Sequence, residues 1–275
     1  MRRIMIAGTN SGCGKTTVTC AVLQALVNRK INVSSFKCGP DYIDPMFHKT
    51  VIGTAAYNLD TYLMSNDAVN YLLNKNSGDI AVVEGVMGFY DGFSFTEKGS
   101  THELSEITDT DVILVVNCRG MSLSAMALVK GFKEFRKNNI KGVIFNNLSE
   151  KLYGNLSEEC RKIGLVPLGF LPNIKDVQIS SRHLGLVTAG EIDDIKDKMN
   201  VLADYAEKNI DIDKILEISE NDRDTKFTSP EITKKYNVKI AVAYDRAFCF
   251  YYEDNLNLLS EMGCLLYTSD AADDT

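Results

Sequence analysis

The sequence lacks the residue patterns that build zinc sites, disulfide frameworks or nucleic-acid surfaces. Its 275 residues include no tryptophan, three histidines and five prolines, and its seven cysteines form no Cys-x-x-Cys pair. We therefore expect neither a zinc site nor a disulfide framework, but reduced thiols. The net charge is −7 and there is no basic tract, which argues against a nucleic-acid partner.

Long apolar runs are also absent. No segment has the length of a membrane span, and the residues after Met1 lack the pattern of a secretory signal. We therefore expect a cytoplasmic protein with no membrane partner. Apolar residues still make up 45% of the chain, which is enough for a core of one large α/β domain or of one domain and part of another.

What is present begins with a glycine-rich segment near the N-terminus. Residues 8–17 read Gly-Thr-Asn-Ser-Gly-Cys-Gly-Lys-Thr-Thr and lie between a short apolar run and a helix-patterned segment. Gly12 and Gly14 would let backbone N–H groups turn towards one anion at a helix N-terminus. Lys15 would reach the β- and γ-phosphates of a nucleotide, and the Thr16 hydroxyl would bind Mg²⁺. The order predicts a site for ATP and Mg²⁺.

This loop departs from the strict phosphate-binding motif in one respect. Thr9 stands where the motif has glycine, and Gly8 lies one position earlier. The spacing resembles the branch of P-loop proteins that includes dethiobiotin synthetase, the cobyrinic acid amidases and the partition ATPases. A glycine-rich turn with a chance Lys-Thr is the alternative, and the predicted strand and helix on either side disfavour it.

A second group of charged residues follows the second predicted strand, which ends at Lys37. The loop predicted over residues 38–48 contains two prolines, a glycine and two aspartates. Loops at the carboxyl ends of parallel strands bind ligands, so Lys37, Asp41 and Asp44 are candidates for contact with a ligand or Mg²⁺. A surface turn with solvated charges remains the alternative. We interpret His48 as a structural or surface histidine.

A third group surrounds an apolar strand that ends in an acid. Residues 79–84 read Asp-Ile-Ala-Val-Val-Glu, and we expect Glu84 to lie beside Thr16 and to share the Mg²⁺, directly or through water. The next segment, over 85–92, has three glycines and carries Asp91 as a second carboxylate. Asn146, at the end of a later strand, is placed to read the edge of a base.

Strands and helices alternate along most of the chain, which predicts a doubly wound parallel sheet of the α/β P-loop class. Six strands are expected in the first domain, after which the sequence becomes polar. The predicted division is a synthetase domain, a linker, a new strand–helix unit and a tail, over 1–218, 219–237, 238–264 and 265–275.

Several strings coincide with a known family. KCGPDYIDPMFH, VVEGVMGFYDG, NCRGMSLSAMALVKGF, GVIFN and SSRHLGL, with the phosphate loop, resemble the dethiobiotin synthetase-like amidases that act on cobyrinate in cobalamin synthesis. The resemblance implies a glutamine-hydrolysing carbon–nitrogen ligase that uses ATP and Mg²⁺. It would amidate the a and c acetate carboxylates of the corrin ring through acyl phosphates, with glutamine or ammonia as the nitrogen source.

The resemblance also implies roles for individual residues. Lys15, Thr16 and Thr17 match phosphate and Mg²⁺ contacts, and Asn146 matches a base-reading position. The catalytic and substrate-side positions are matched by four further residues: Asp41, Tyr42, Glu84 and Asp91.

The family carries a class I glutaminase domain after the synthetase domain, and residues 238–264 resemble its opening strand and helix. Such a glutaminase needs a cysteine nucleophile and a histidine base. The last histidine is His183, so we expect a truncated glutaminase that lacks its catalytic residues, with 265–275 as a non-native tail.

Two alternatives remain open. One is an amidase of the same chemistry that acts on nickel sirohydrochlorin. The other is a partition-type ATPase switch, but those proteins carry a second lysine where this chain has Asn10. The oligomeric state is open as well, with a homodimer as one alternative.

Overall fold

The computed structural model describes residues 1–174, 189–220, 227–232, 235–245 and 248–268. The predicted loop over 180–186, with His183, and the last seven residues of the predicted tail lie outside this part of the chain. Among the helices of the described residues, none has both the length and the apolar composition that crossing a bilayer requires.

Within the described residues, seven parallel strands form one sheet, in the order β3-β2-β4-β1-β5-β6-β7. β1 and β4 lie near its middle and contain continuous buried apolar runs, over residues 4–7 and 80–83, as expected for strands covered on both faces. The strands are β1 (Arg2–Gly8), β2 (Val33–Cys38), β3 (Ala55–Leu59), β4 (Ile80–Glu84), β5 (Val112–Asn117), β6 (Ile140–Asn146) and β7 (Val166–Leu171).

Helices cover both faces of the sheet and enclose two cores. One core includes side chains of α1, α7 and α8, and the other includes side chains of α3, α4, α5 and α6. The predicted doubly wound architecture is therefore confirmed. The helices are α1 (Lys15–Asn28), α2 (Ile43–Phe47), α3 (Asn66–Lys75), α4 (Thr101–Ile107), α5 (Ser124–Phe135), α6 (Glu150–Lys162), α7 (Ala189–Asn209) and α8 (Ile212–Ser219).

The structure corrects the interpretation of residues 38–59 in two places. The predicted loop contains α2, followed by a π-helical turn over His48–Ile52. Oδ1 of Asp41 accepts a hydrogen bond from the backbone N–H of Ile43 (2.9 Å), and proline is tolerated in a first helical turn. In addition, β3 was not predicted; it is short and forms the edge of the sheet, parallel to β2.

The C-terminal unit, residues 235–268, corrects the boundary of the predicted tail. β8 (Lys239–Ala241) pairs in parallel with β9 (Leu265–Tyr267), and α9 (Glu253–Glu261) connects them. Leu265 therefore begins a strand that pairs with the first strand of the unit, and the non-native origin of the tail stays a prediction.

This unit lies against the β3 edge of the large sheet. The hydroxyl of Tyr252 donates a hydrogen bond to Oδ2 of Asp60 (3.0 Å), and Lys49 forms an ion pair with Glu253 (2.9 Å). The rings of Phe250 and Tyr252 stack on Tyr42, with centroid distances of 5.4 and 5.1 Å. The unit thus contacts the loop that carries Asp41.

Candidate active site

The glycine-rich loop follows β1 and leads directly into α1. Gly12 and Gly14 have φ angles of +77° and +93°, which glycine adopts without strain. Gly14 precedes the first helical residue, Lys15, and a Cβ at position 14 would collide with the Asn146 side chain. The loop therefore has the strand–loop–helix context that binds phosphate at a helix N-terminus.

Glu84 lies beneath this loop because of the register of the sheet. It pairs with Ile6 of β1 on one side and with Lys37 of β2 on the other. Its side chain is completely buried, and its Oε1 accepts a hydrogen bond from Oγ1 of Thr16 (2.7 Å). The predicted proximity of Glu84 and Thr16 is present in the structure.

Lys37 places a buried positive charge among several carboxylates. Its Nζ lies 3.2 Å from Oε1 of Glu84 and 3.5 Å from Oδ2 of Asp41, and it forms a close ion pair with Asp44. The Nζ of Lys15 lies 4.0 Å from the same Oε1 of Glu84. The structure therefore joins the phosphate loop and the second predicted group of charges into one network.

The charges in this network stabilise one another. Burial opposes the charge on Lys37, but the surrounding carboxylates, with Glu84 contributing most, outweigh it and raise the pKa of the ammonium. Burial also opposes the charge on Glu84, but Lys37 and then His48 hold the pKa of that carboxyl well below its usual range. Both groups are therefore charged at neutral pH.

His48 is a residue whose position the sequence did not reveal. It is buried, and its Nε2 lies 3.4 Å from Oε2 of Glu84. Within the described residues, neither ring nitrogen makes a hydrogen bond. The surface alternative for His48 is therefore wrong, and its buried position agrees with the structural alternative. No local sequence signal indicated this contact, because it depends on α2 and on the π-helical turn that follows it.

The residues present fit Mg²⁺ by their chemistry. The Thr16 hydroxyl and the Glu84 carboxylate supply oxygen atoms, which this ion prefers, and Oε2 of Glu84 accepts no hydrogen bond within the described residues. Among the residues that the structure describes, no group of three His, Cys, Asp or Glu side chains could hold a metal ion without other ligands. A magnesium ion would therefore share its ligands with nucleotide phosphates and water, as such ions commonly do.

The other predicted residues surround this network. Tyr42 lies beneath the rings of the C-terminal unit, and Asp91 is exposed, with its Oδ2 accepting a hydrogen bond from the Gly88 backbone N–H (3.1 Å). Asn146 donates a hydrogen bond to the Cys13 carbonyl (3.0 Å), so its amide supports the phosphate loop. Its predicted base-reading role stays a prediction.

Comparison with protein families decides what kind of domain this is. The profile of the family described as "CobQ/CobB/MinD/ParA nucleotide binding domain" matches residues 4–187. The chain belongs to this family. Membership confirms the predicted P-loop fold and assigns nucleotide binding to the region that contains the glycine-rich loop and Glu84.

Two curated relatives that the chain resembles share one name. A "Cobyrinate a,c-diamide synthase" of Thermoplasma volcanium is 43% identical over 96% of this chain and 59% of the relative. One of the same name from Clostridium acetobutylicum is 41% identical over 99% of this chain and 63% of the relative. The predicted resemblance is thereby confirmed, and the chain spans about three fifths of the length of these relatives.

Proposed function

We propose that the chain catalyses the ATP- and Mg²⁺-dependent amidation of the a and c acetate carboxylates of cobyrinate, in cobalamin biosynthesis. The observation that carries this proposal is the alignment of nearly the whole chain with relatives named for that reaction. The charged network beneath the phosphate loop supports it, because activation of a carboxylate by ATP requires both a phosphate site and nearby charged groups.

Nucleotide binding would begin at the phosphate loop. The backbone N–H groups at the start of α1 would donate hydrogen bonds to the phosphates, and Lys15 would place its ammonium at the β- and γ-phosphates. Thr16 and Glu84 would hold Mg²⁺, which supplies charge neutralisation on the phosphates. Lys37 would keep Glu84 ionised through their contact of 3.2 Å.

The reaction would then take place in two displacements. An oxygen of the substrate carboxylate attacks the γ-phosphorus of ATP, and the bond to the bridging oxygen breaks, so that ADP leaves. Ammonia then attacks the acyl carbon of the resulting acyl phosphate, and phosphate leaves with the electron pair of the broken C–O bond. Asp41 and Asp91 are our candidates for accepting the proton that the ammonia nitrogen releases.

The nitrogen source belongs to the same proposal. We infer that the β8–α9–β9 unit corresponds to the opening of a class I glutaminase, as its sequence resemblance indicates. Glutamine or ammonia would then be the nitrogen source, and the assay described next supplies ammonia. We also propose a cytoplasmic location, where ATP is available, and a homodimer stays a prediction.

The experiment is an amidation assay on the purified chain. The protein is incubated with cobyrinate, ATP, MgCl₂ and ammonium chloride. The masses of the corrinoid products are then determined by mass spectrometry. We expect the a,c-diamide, and we expect ¹⁸O from labelled substrate carboxylates to appear in the released phosphate. Lys15→Ala should lower turnover on the order of 10²-fold because the charge at the transferring phosphoryl group is lost.

A matched control is Lys130→Ala, which removes an exposed lysine of α5. Formation of the diamide without ¹⁸O transfer would exclude the acyl phosphate. If ATP binds but cobyrinate is not amidated, the proposed substrate is wrong, and nickel sirohydrochlorin in a parallel reaction tests the same chemistry on the alternative tetrapyrrole. ATP-dependent dimerisation without amidation would instead favour the partition-type switch.

A further inference from the structure

Four large apolar side chains lie exposed near the candidate active site. Tyr62, Leu63, Phe93 and Phe95 are exposed to 54%, 67%, 64% and 104%, and we call them the aromatic patch. The rings of Tyr62 and Phe93 are in contact, with a centroid distance of 5.5 Å. Single exposed apolar residues are ordinary, but several of them on two neighbouring loops beside a functional site indicate a binding surface.

The backbone that carries the aromatic patch is held by specific hydrogen bonds. Oε2 of Glu103 accepts hydrogen bonds from Oγ1 of Thr61 (2.9 Å) and from the Gly99 backbone N–H (2.6 Å), so one carboxylate joins both loops. The Phe93 backbone N–H donates to the Lys98 carbonyl (2.7 Å), which closes the second loop on itself. The structure therefore presents the patch on two connected, hydrogen-bonded loops.

The aromatic patch is continuous with the candidate active site on two sides. Phe93 follows Asp91 by two residues, on the loop that leaves β4. Asp60 accepts hydrogen bonds at Oδ1 from the N–H groups of Tyr62 and Leu63, and at Oδ2 from Tyr252, whose ring stacks on Tyr42. One segment of the patch is thus linked to Tyr42 through Asp60, and the other directly follows Asp91.

A positive charge accompanies the apolar surface. The exposed Lys98 places its Nζ 5.4 Å from the centroid of the Tyr62 ring. The nearby Asp91 is also exposed, so the surface offers one acidic position towards the reacting end and one basic position beside the rings. The apolar side chains are complementary to the apolar faces of a large ring, and Lys98 is complementary to a carboxylate at its edge.

We propose that the aromatic patch and Lys98 form the binding platform for a polycarboxylate tetrapyrrole-like macrocycle. The rings and Leu63 contact an apolar face of the macrocycle, and Lys98 pairs with a peripheral carboxylate. The reacting acetate then points towards Asp91 and the phosphate loop. The choice of this macrocycle rests on the proposed function, while the platform itself rests on the contacts just described.

The test measures macrocycle binding apart from catalysis. Cobyrinate is dialysed to equilibrium against the full chain without ATP, and the bound fraction is read from corrin absorbance. We expect the Kd of Phe93→Ala/Phe95→Ala to rise tenfold or more. The control is Phe135→Ala, which removes a phenylalanine of α5 with a comparable exposure of 65%, and its Kd should stay within twofold of wild type.

The contribution of Lys98 is measured by the dependence of the Kd on salt concentration, because an ion pair weakens as salt increases. Cobyrinate binding by the wild type should weaken between low and high salt, and in Lys98→Ala this dependence should be smaller. ATP affinity, followed with a fluorescent ATP analogue, should change less than twofold in all three variants. That result would also show that each variant is folded at its nucleotide site.

The outcomes separate the platform from the proposed reaction. If the wild type does not bind cobyrinate, or if Phe93→Ala/Phe95→Ala binds it as tightly as wild type, the platform is overturned. If binding changes as expected but no amidation occurs, the platform stands and the proposed reaction fails. If the double variant converts a dimer to a monomer in sedimentation and leaves the Kd unchanged, the patch is a subunit interface instead.

Discussion

At the scale of single residues, Lys37 carries a charge where burial alone would remove it. Its ammonium forms ion pairs with the carboxylates of Glu84, Asp44 and Asp41, and it neutralises part of their buried negative charge. In Lys37→Met the buried carboxylates lose their main counter-charge. We expect the free energy of unfolding, measured in urea, to fall by about 3–5 kcal/mol, which is typical when one member of a buried ion pair is removed.

A double variant checks this reason. Neutralising a partner as well, in Lys37→Met/Glu84→Gln, should restore part of the lost stability. Lys75→Met is the control, because its ion pair with Glu261 is partly exposed and should contribute less than about 1 kcal/mol. If Lys37→Met were as stable as Lys75→Met, the network would not contribute to folding in this way.

Asp44 gives the network a dependence on pH. Burial, and then the charge of Glu84, raise its pKa to about 6. Between about pH 4 and pH 6 the folded chain therefore holds a proton that the unfolded chain has released. The stability from this proton is fully present below about pH 4 and is lost as the pH rises through about 6.

Asp44→Asn imitates the protonated carboxyl at every pH. Its stability should therefore not fall in this way as the pH rises. Relative to wild type, its free energy of unfolding should improve by up to about 3 kcal/mol between pH 4 and pH 7.5. The measurement is a series of urea titrations across this range, with Asp213→Asn at an exposed site as the control. A constant difference between Asp44→Asn and wild type at all pH values would contradict the raised pKa.

Sequence reasoning found some residues of this network and missed another. Glu84 and Thr16 were predictable because each lies at a fixed position in a motif, one at the end of an apolar strand and one in the phosphate loop. His48 was not, because its contact with Glu84 depends on α2 and the π-helical turn, and a segment with two prolines favours a loop.

At the scale of elements, a few side-chain contacts hold the C-terminal unit against the rest of the protein. The Tyr252 hydroxyl donates to the Asp60 carboxylate, and its ring covers Tyr42. Tyr252→Phe removes the hydroxyl and leaves the ring, so one oxygen of Asp60 loses its donor. We expect a loss of about 1–3 kcal/mol, the cost of leaving such a charged acceptor unsatisfied.

This loss should be concentrated in the C-terminal unit. Hydrogen exchange of the amides in α9 should become faster in Tyr252→Phe, while amides of β1 should be unaffected. The control is Tyr251→Phe, whose hydroxyl donates to the Ala243 carbonyl at an exposed position and should matter less. Equal effects of the two substitutions would show that the Asp60 contact does not hold the unit in place.

The elements that were hard to predict are short or lie at an edge. β1 and β4 were predictable because burial on both faces gives them continuous apolar runs. β3 has five residues, with burial that varies along it, and it is fixed by pairing with β2 rather than by its own composition. β9 has three residues and forms through pairing with β8, which local sequence does not encode.

At the scale of the whole molecule, the alternation of strands and helices predicted the doubly wound sheet, but not the order of its strands. That order decides the site, because it places β4 between β1 and β2 and so brings Glu84 next to both the phosphate loop and Lys37. The chemistry of each residue was readable in sequence, whereas their convergence is a property of the fold.

Nucleotide binding should therefore stabilise the entire P-loop domain. A ligand at a hundredfold excess over its Kd adds about 2.7 kcal/mol to the free energy of unfolding when it binds only the folded state. For a domain of this size that corresponds to a rise in Tm of roughly 5–10 °C. We expect this rise with a non-hydrolysable ATP analogue and MgCl₂.

The same measurement tests the metal site. EDTA should reduce the rise in Tm, because Thr16 and Glu84 would then lack the ion that links them to the phosphates. Glu84→Gln should require a higher Mg²⁺ concentration to reach the same Tm, and Asp91→Asn, further along the glycine-rich segment after β4, should respond as wild type does. If EDTA leaves the shift unchanged, or if Asp91→Asn alters the Mg²⁺ requirement more than Glu84→Gln, the metal does not lie between Thr16 and Glu84.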